Sequence, residues 1–221
     1  MIDIHSHVLP KADHGSYSIE DSLKQLKTAA KCGVKTIVAT PHFYAFNDNI
    51  DNFLVRRDKS FYSLSLANDT GITILKGAEV RLVCGLSTFS GIRKLAIENT
   101  DYILIEMPSG VWTNMLINEI VLLQALGLNL IIAHIERYSI KQMQNLLKFD
   151  VLTQINAYSL FNPIQNIKIR KYMHKGIIDF IASDSHIYNY FLAYSSLKRS
   201  QNIIGSSFNS YMENAKTMLS L

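Results

Sequence analysis

The sequence has few cysteines, few prolines and little charge, and each shortage excludes a class of protein. Two cysteines in 221 residues, Cys32 and Cys84, exclude a disulfide scaffold and indicate a reducing compartment. Four prolines and ten glycines exclude collagen-like repeats. Because 48% of residues are hydrophobic and 18% are charged, the chain is not intrinsically disordered, and we expect residues 1–221 to form one domain.

Long hydrophobic runs and a strong charge of one sign are missing too. No apolar run approaches the roughly 20 residues that a membrane-spanning helix needs, and residues 1–5 lack the basic and apolar segments of a signal peptide. We therefore expect a cytoplasmic protein that does not insert into a membrane. The formal charge of +4 is small and spread along the chain, which indicates a solvated surface and argues against a nucleic-acid partner.

The sequence does contain a repeated alternation of short β-rich runs with stretches of helical length. Seven runs rich in Ile, Val, Leu and Ala end in polar residues, at residues 2–7, 36–42, 72–82, 102–106, 128–136, 151–156 and 177–186. Several runs are almost continuously apolar, which is typical of parallel strands covered on both faces. This alternation predicts an α/β fold.

The segments between the runs carry helix signals. Ser18 precedes residues with helical spacing and is placed to cap a first turn, and Gly33 ends that segment. Further glycines precede later runs in the same way, at Gly71, Gly127 and Gly176. Residues 187–221 have helical character and are expected to form one or two terminal helices.

This alternation alone fits two α/β architectures, an open doubly wound sheet and a closed barrel. Polar residues at the C-terminal ends of nearly all seven runs favour the barrel, whose sites collect on that face. Seven strands would make the barrel irregular. The glycine-rich phosphate loops of P-loop and dinucleotide-binding proteins are absent.

Histidines and carboxylates form the most informative pattern. His5 and His7 are two residues apart on one predicted strand, so their side chains point to the same face, and Asp184 and His186 repeat this spacing. Predicted strand ends deliver these donors: His5, His7, His42, Glu79, Glu106, His134, Asp184 and His186. Donors from several strands predict a polynuclear metal site. The mixture of imidazole and carboxylate suits zinc, manganese or iron.

A single histidine at a strand end is more often a structural residue, so the metal hypothesis depends on the number of strand ends that carry donors. Two residues near the pattern are interpreted separately. His174 lies in a helical stretch beside lysines and is expected at the surface. Glu136, two residues after His134, either orients a metal ligand or pairs with Arg137.

Six ordered motifs resemble one known family. They are H-x-H at 5–7, A-T-P-H at 39–42, G-A-E-V-R at 77–81, I-A-H-I-E-R at 132–137, Q-I-N-A at 154–157 and A-S-D-S-H at 182–186. The sequence resembles the polymerase and histidinol phosphatase (PHP) superfamily. More closely, it is similar to the CpsB/CapC family of bacterial manganese-dependent protein-tyrosine phosphatases from capsule and exopolysaccharide operons.

The resemblance implies a single PHP domain over residues 1–221, built as a distorted (β/α)7 TIM-like barrel that holds three divalent ions. Manganese is the expected metal, with iron or zinc as alternatives. The implied ligands of the first ion are His5, His7, Glu79 and Asp184. Glu79 also bridges to the second ion, which Glu106 and His134 complete. The third ion is bound by His14, His42 and His186.

The resemblance also implies a chemistry and a partner. Clustered divalent ions lower the pKa of water towards about 7 and bind phosphoryl oxygens, and Arg137 holds the phosphoryl group. Glu106 and His42 are further candidate catalytic groups. The implied substrate is phosphotyrosine, on the C-terminal tail of a membrane-associated bacterial tyrosine kinase.

This chain departs from the family at two places. The usual Asp-Asp-Gly after the first strand is Asp-His-Gly at residues 13–15, and the arginine that usually follows the final D-x-H is absent from residues 187–191. Independently of the resemblance, neither cysteine begins the C-x5-R signature of thiol phosphatases, so no cysteinyl-phosphate intermediate is expected. Aromatic residues after strand ends either pack a phosphotyrosine ring or seal the barrel mouth: Phe43, Tyr44, Phe46 and Trp112.

Three other functions remain open from the sequence. A PHP phosphatase for a small phosphomonoester such as histidinol phosphate uses the same metal chemistry. A phosphodiesterase or nuclease is less favoured because the chain lacks a dense basic and aromatic tract. A regulatory binding module with weak or no turnover belongs to a different functional class.

Overall fold

Short strands alternate with helices from one end of the chain to the other. The computed structural model describes residues 1–221. The strands are β1 (Ile2–Ser6), β2 (Thr36–Ala39), β3 (His42–Phe43), β4 (Thr73–Lys76), β5 (Glu79–Arg81), β6 (Tyr102–Glu106), β7 (Asn129–Ile132), β8 (Leu152–Asn156) and β9 (Phe180–Ala182). The helices are α1 (Ile19–Lys31), α2 (Ile50–Ala67), α3 (Asn114–Ala125), α4 (Ile140–Leu146), α5 (Pro163–His174), α6 (Tyr190–Ile204) and α7 (Ser206–Met218).

The strands form a closed parallel barrel. Two hydrogen-bonded sheets have the orders β1-β2-β4 and β3-β5-β6-β7-β8-β9, and β2 continues into β3 as β4 does into β5. The barrel closes where the end of β1 meets the segment after β9: the His7 amide donates to the Ser185 carbonyl at 2.8 Å and the Asp184 amide to the His5 carbonyl at 2.9 Å. The seven predicted runs and the distorted (β/α)7 barrel are confirmed. The alternative architecture, an open doubly wound sheet, is not the one that the chain adopts.

Two predicted runs are each interrupted in the middle. Pro41 separates β2 from β3 and has no N–H to donate to a neighbouring strand. Gly77 separates β4 from β5, and a Cβ there would lie 3.0 Å from Val38 Cγ1. Side chains of the neighbouring segments therefore pack directly against the Gly77 backbone. The two interruptions lie just before His42 and Glu79, which are predicted ligands.

The helix signals have the predicted effects. The Ser18 hydroxyl accepts a hydrogen bond from the Asp21 amide at 3.1 Å and so caps α1. Gly33 follows α1 with a φ of +92°, a left-handed conformation that glycine adopts without strain. Residues 187–221 contain the two terminal helices α6 and α7. None of the helices combines the length and the apolar character that crossing a bilayer requires.

The core has two buried parts. The larger fills the space between the barrel and its helices, with Phe43, Phe53 and Tyr194 among its largest side chains. The smaller contains Leu104, which is paired in register with Glu79 and so shares its face of the sheet. This smaller cluster lies inside the barrel and supports the ligands from below, at the following positions: Ile4, Val38, Ile97, Leu104, Ile131, Ala133, Phe180, Ala182, Ala215, Met218 and Leu219.

Strand β1 contains an irregularity that matters for the site. Asp3 pairs with Ile37 whereas Ser6 pairs with Ala39, so β1 has one residue more than β2 over this stretch. Ile4 packs in the cluster inside the barrel. The extra residue lets the neighbouring His5 face the same interior, because a regular strand would point consecutive side chains to opposite faces.

Candidate metal centre

The predicted ligands surround one small cavity at the C-terminal ends of the barrel strands. The cavity has a volume of about 160 Å³, and Glu79, Glu106, Arg137 and Asp184 are among its lining residues. His5, His7 and His134 lie beneath it and are almost completely buried. Their strands end at this face because all strand pairs are parallel, so donors that are far apart in sequence meet here.

A first group of four donor atoms converges beside Glu79. His5 Nε2 and His7 Nε2 each lie 3.2 Å from Glu79 Oε2 and 3.5 Å from Asp184 Oδ1, and the two nitrogens are 3.2 Å apart. Donor atoms that share one ion at about 2.1 Å lie roughly 3.0–3.4 Å from one another. These four atoms therefore have the spacing of one divalent ion's ligands.

A second group lies at the other oxygen of Glu79. His134 Nε2 is 2.9 Å from Glu79 Oε1 and 3.9 Å from Glu106 Oε1. Donor atoms of His42, Glu79 and Glu106 also lie within 4.8 Å of one another. Since the two oxygens of Glu79 face different groups of donors, this carboxylate is placed where a bridging ligand would be.

A third group contains three imidazoles. Donor atoms of His7, His42 and His186 lie within 4.8 Å of one another. His14 is exposed, with its ring centroid 4.9 Å from that of His42 and 5.0 Å from that of His186. His14 therefore lines the cavity, but it belongs to none of the three compact groups of donor atoms.

Several buried donor atoms of the centre have no hydrogen-bond partner. They are His42 Nδ1, Glu79 Oε2, Glu106 Oε2 and His186 Nε2, four of the seven such side-chain atoms in the chain. Glu79 Oε2 is unpartnered even though three imidazole nitrogens lie within 3.2 Å of it. An unsatisfied buried polar group costs about 1–3 kcal/mol, and a cation that takes these lone pairs removes the cost. The residues present therefore fit a divalent metal centre.

Two residues that we did not predict orient the ligands. Asp13 Oδ2 lies 2.7 Å from His7 Nδ1, and Gln154 Oε1 lies 3.2 Å from His5 Nδ1. Each contact places the ring proton on Nδ1 and leaves Nε2 free to bind a metal. Both residues lie within sequence motifs described above, Asp-His-Gly at 13–15 and Q-I-N-A at 154–157. These motifs were the only features of the sequence that pointed to the two residues.

Burial sets the protonation of two of the imidazoles. It lowers the pKa of His42 to about 4. Burial, followed by repulsion from a charged His7, lowers the pKa of His186 to about 3. Both rings are therefore neutral near pH 7 and keep a lone pair for a metal. Burial, followed by the charge of Glu79, raises the pKa of Glu106. Burial opposes ionisation of Asp184, but His5 and His7 more than offset it and lower the pKa of this carboxyl.

Arg137 connects the ligands to the cavity. Its Nη2 donates to Asp184 Oδ2 at 2.7 Å and to the Tyr158 hydroxyl at 3.3 Å. Asn156 Nδ2 donates to the same Asp184 oxygen at 2.7 Å. Because 42% of the Arg137 side chain remains exposed, the guanidinium has donors left for an anion in the cavity.

Two site residues have unusual backbone conformations. His134 has a φ of +36° and Asp184 a φ of +51°, in the left-handed region that side chains other than glycine rarely adopt. Each such conformation costs about 1–3 kcal/mol, and it persists where the surrounding structure holds it. The strain is therefore located at two predicted ligands: His134, which contacts Glu79, and Asp184, which contacts Arg137.

Glu136 has neither of the two roles considered from the sequence. Its Oε1 accepts hydrogen bonds from the Asn156 amide at 3.2 Å and the Ser159 hydroxyl at 2.9 Å. It therefore fastens the segment after β8, and it makes no hydrogen bond to His134 and no ion pair with Arg137. His174 is exposed, as predicted.

The four aromatic residues have different positions. Phe43 is fully buried in the core, and Trp112 packs edge-on against Tyr138 with ring centroids 5.1 Å apart. Tyr44 lines the cavity, with its ring stacked on His42 at 5.1 Å. Phe46 is exposed and stacks on Tyr44 at 5.6 Å.

One more ring lines the cavity. Tyr188 was not among the predicted site residues, and it lies in the segment where the expected arginine is missing. Its ring centroid is 5.0 Å from that of His186.

Comparison with known proteins assigns the chain to a family. The sequence model described as "Capsular polysaccharide synthesis, CpsB/CapC" matches residues 1–214. The chain belongs to the CpsB/CapC family. The resemblance identified from six sequence motifs is thus confirmed, over almost the whole chain.

Individual members of the CpsB/CapC family are similar in sequence and structure. CapC of Staphylococcus aureus is 33% identical over 203 residues, covering 84% of this chain and 77% of CapC. The tyrosine-protein phosphatase YwqE of Bacillus subtilis is 30% identical over 196 residues, with the same coverage of each chain. Crystal structures of YwqE and of CpsB from Streptococcus pneumoniae are described as those of unique metal-dependent tyrosine phosphatases. One chain of these structures matches this chain with a TM-score of 0.82 and 25% sequence identity. The match covers 100% of this chain and 94% of that chain.

Proposed function

We propose that this member of the CpsB/CapC family is a metal-dependent protein-tyrosine phosphatase that acts in capsule or exopolysaccharide synthesis. One observation carries the proposal: the buried Glu79 Oε2 has no hydrogen-bond partner among three imidazole nitrogens, in a cavity that the Arg137 guanidinium also lines. This arrangement combines ligands for cations with a donor for an anion, which phosphate ester hydrolysis requires.

We propose that the donor groups hold three divalent ions, with manganese as the metal and iron or zinc as alternatives. His5, His7 and Asp184 would hold the first, with Glu79 shared with the second, which Glu106 and His134 complete. For the third we propose His14, His42 and His186, with His14 moving towards its two partners. When bound, such ions supply hydroxide at neutral pH and stabilise charge on phosphoryl oxygens.

Arg137 binds and orients the phosphoryl group in this proposal. Its contact with Asp184 Oδ2 fixes the guanidinium beside the cavity, and the remaining N–H groups bind phosphoryl oxygens bidentately. The leaving phenolate has a pKa near 10, so a strong general acid is not required. The neutral His42 ring, with a pKa of about 4, is unsuited to be a cationic acid at pH 7.

Two tyrosines are placed to recognise an aromatic substrate. Tyr44 and Tyr188 both line the cavity, against His42 and His186 respectively. Burial, followed by the charge of Glu106, raises the pKa of Tyr44 to about 12, so its hydroxyl keeps a proton and donates hydrogen bonds at neutral pH. We propose that these rings pack against the ring of phosphotyrosine.

The proposed substrate is a phosphotyrosine-bearing protein, namely the C-terminal tail of a membrane-associated bacterial tyrosine kinase. Such a tail is flexible and presents its phosphate without unfolding a domain. We propose that the enzyme meets it in the cytoplasm, with residues 1–221 acting as one PHP barrel domain.

Phosphate release after metal removal and return tests the proposal. Protein stripped with a chelator is resupplied with manganese and given a phosphotyrosine peptide or histidinol phosphate. We expect manganese to restore release from the peptide and not from histidinol phosphate. Release from histidinol phosphate alone would show that the substrate is a small phosphomonoester. No release from either compound would favour a binding module.

Matched variants make this test specific. Glu79→Gln removes a charge at the centre, whereas Glu98→Gln removes one from a carboxylate that contacts Lys76 at 3.5 Å, outside the cavity. We expect the first variant to lose manganese-dependent release and the second to keep it. Equal loss in both variants would contradict the role of Glu79.

A further inference from the structure

The cavity at the predicted metal centre is the first of three cavities that share lining residues in turn, and the third of them is basic. The metal-centre cavity shares His14, His42 and Tyr44 with a neighbouring cavity of about 330 Å³. That cavity in turn shares Arg56 with a third of about 500 Å³. We call this third cavity the basic groove, and Lys11, Glu20, Arg56 and Lys59 supply its charges.

The cations of the basic groove are not neutralised equally. Arg56 contacts Asp48 at 2.6 Å and donates from Nε to the Ala12 carbonyl at 2.8 Å, so it is fixed in place. Lys11 and Lys59 are exposed, and the ion pairs of the chain include neither of them. Glu20 is the one carboxylate that lines the groove. Because Asp48 neutralises Arg56, two unpaired lysines against one carboxylate leave the groove with a small positive charge.

The groove is otherwise polar. Its lining includes hydroxyl groups of Ser18, Ser60 and Ser63, and Ser60 donates to the Pro10 carbonyl at 2.7 Å. Ser63 likewise donates to the Lys59 carbonyl at 3.0 Å, so the ammonium groups of Lys11 and Lys59 are the groove's main donors for an anion such as a carboxylate or a phosphate. An apolar segment would find little complementary surface here.

We infer that the basic groove binds an anionic side chain of the substrate peptide, a carboxylate or a second phosphate close in sequence to the phosphotyrosine at the metals. The inference rests on the proposed function and names a feature of its substrate. A peptide whose phosphate occupies the metal centre must leave that cavity along the surface, and the shared walls at His14 and Arg56 provide one route. Lys11 and Lys59 then gain the partners that the free chain does not give them.

Peptide selectivity tests this inference. The holoenzyme with manganese is given phosphotyrosine peptides whose neighbouring residues are all alanine, contain glutamates on one side, contain them on the other, or contain a second phosphotyrosine. We expect at least one anionic peptide to have a higher kcat/KM than the alanine peptide, through a lower KM. The glutamate and phosphotyrosine peptides distinguish the two anions.

A charge reversal then assigns the selectivity to the groove. In the Lys11→Glu/Lys59→Glu variant, the ratio of kcat/KM between the anionic and the alanine peptide should fall roughly three- to tenfold. Added salt should reduce the wild-type ratio as well, because both lysines are exposed. The control variant Lys171→Glu/Lys175→Glu reverses two exposed lysines outside the groove, so its net charge equals that of the groove variant. It should keep the wild-type ratio.

The outcomes separate this inference from the proposed function. Hydrolysis of p-nitrophenyl phosphate by wild-type protein reports the metal chemistry without any peptide. If that activity is present but all peptides are equivalent, or if the control variant loses selectivity equally, the groove has no such role. If no ester is hydrolysed, the proposed function fails, and fluorescence anisotropy of a labelled doubly phosphorylated peptide still tests the groove: equal affinity in the wild type and the groove variant would overturn the inference.

Discussion

The carboxylate of Asp13 holds the imidazole of His7 in the orientation that metal binding through Nε2 would need. Asp13 Oδ2 is 2.7 Å from His7 Nδ1, and the same oxygen accepts a hydrogen bond from the His42 amide at 2.9 Å. Its other oxygen accepts one from the Gly15 amide at 2.8 Å. One carboxylate therefore fixes the ring of one predicted ligand, the backbone of a second and the loop between them.

Replacing Asp13 by alanine should weaken metal binding. Without the carboxylate, the His7 ring is free to rotate and to place its proton on Nε2, and such losses typically cost 10–100-fold in metal affinity. Titration of the stripped protein with manganese, followed calorimetrically, measures the change. Asp51→Ala, an exposed carboxylate at the start of α2, is the matched control and should bind as wild type. Equal affinity in the Asp13 variant would show that the contact is not needed.

Replacing Gly15 by alanine should displace His7. The added Cβ would lie 2.1 Å from His7 Cβ and 2.6 Å from the His7 carbonyl oxygen, so backbone has to move. Overpacking of this kind costs typically 1–3 kcal/mol, and here the movement reaches a ligand. We expect a lower melting temperature together with a lower metal content after dialysis.

The Gly85→Ala variant is the comparison. Gly85 has a φ of +84° and an open surrounding, so alanine there strains the backbone without a collision. Its cost is roughly 1–2 kcal/mol, and its metal content should stay at the wild-type level. Loss of metal in both variants would mean that lower stability alone empties the centre.

Replacing Arg137 by alanine should slow hydrolysis without emptying the metal centre. Removal of one preorganised charged donor typically lowers kcat by about 10²–10³-fold, and Arg137 contacts a ligand without belonging to the donor groups. Steady-state kinetics on a phosphotyrosine peptide give the loss, and elemental analysis gives the metal content. Arg137→Lys should recover little, because an ammonium group lacks the bidentate geometry. Unchanged kcat and KM in the alanine variant would remove Arg137 from the mechanism.

Removing the metals should destabilise the fold. Stripping leaves buried carboxylates and imidazoles with unpartnered atoms, whereas ligand at 100 times its Kd stabilises a native state by about 2.7 kcal/mol. In a chain of this length each kcal/mol shifts Tm by roughly 2–4 °C. Thermal unfolding with chelator or with manganese should therefore differ by several degrees. A variant with Glu79→Gln should show a much smaller difference, since both oxygens of that carboxylate face donor groups.

Most of the fold was predictable because its signals are local. Parallel strands buried on both faces give short apolar runs, and glycine or a capping serine marks the ends of the helices between them. The interruptions of two runs were not predicted. Pro41 lies within one run and is incompatible with an unbroken central strand, so the sequence did indicate this break. The nearly continuous apolar residues around Pro41 suggested a single strand instead.

The site was predictable as a set of residue types but not as a network. Donors such as His5 and Glu79 stand out because strand ends rarely carry so many imidazoles and carboxylates together. The role of Gln154 depends on a contact with His5 across 149 positions, and no local pattern specifies such a contact. The position of His14 outside the compact donor groups, and that of Tyr188 at the cavity, also depend on loop conformations that spacing does not determine.

The seam that closes the barrel sets when the centre can exist during synthesis of the chain. Asp3 accepts hydrogen bonds from Ser183, 180 positions later, and the ligands His5 and Asp184 lie on the two sides of this seam. A ribosome completes the C-terminal side of the seam only near the end of translation, whereas N-terminal elements emerge much earlier. A nascent chain that ends before Asp184 therefore lacks one donor of the proposed first ion, whereas Glu79, Glu106 and His134 have already been made. The proposed first ion could be bound by its full set of donors only after the barrel has closed.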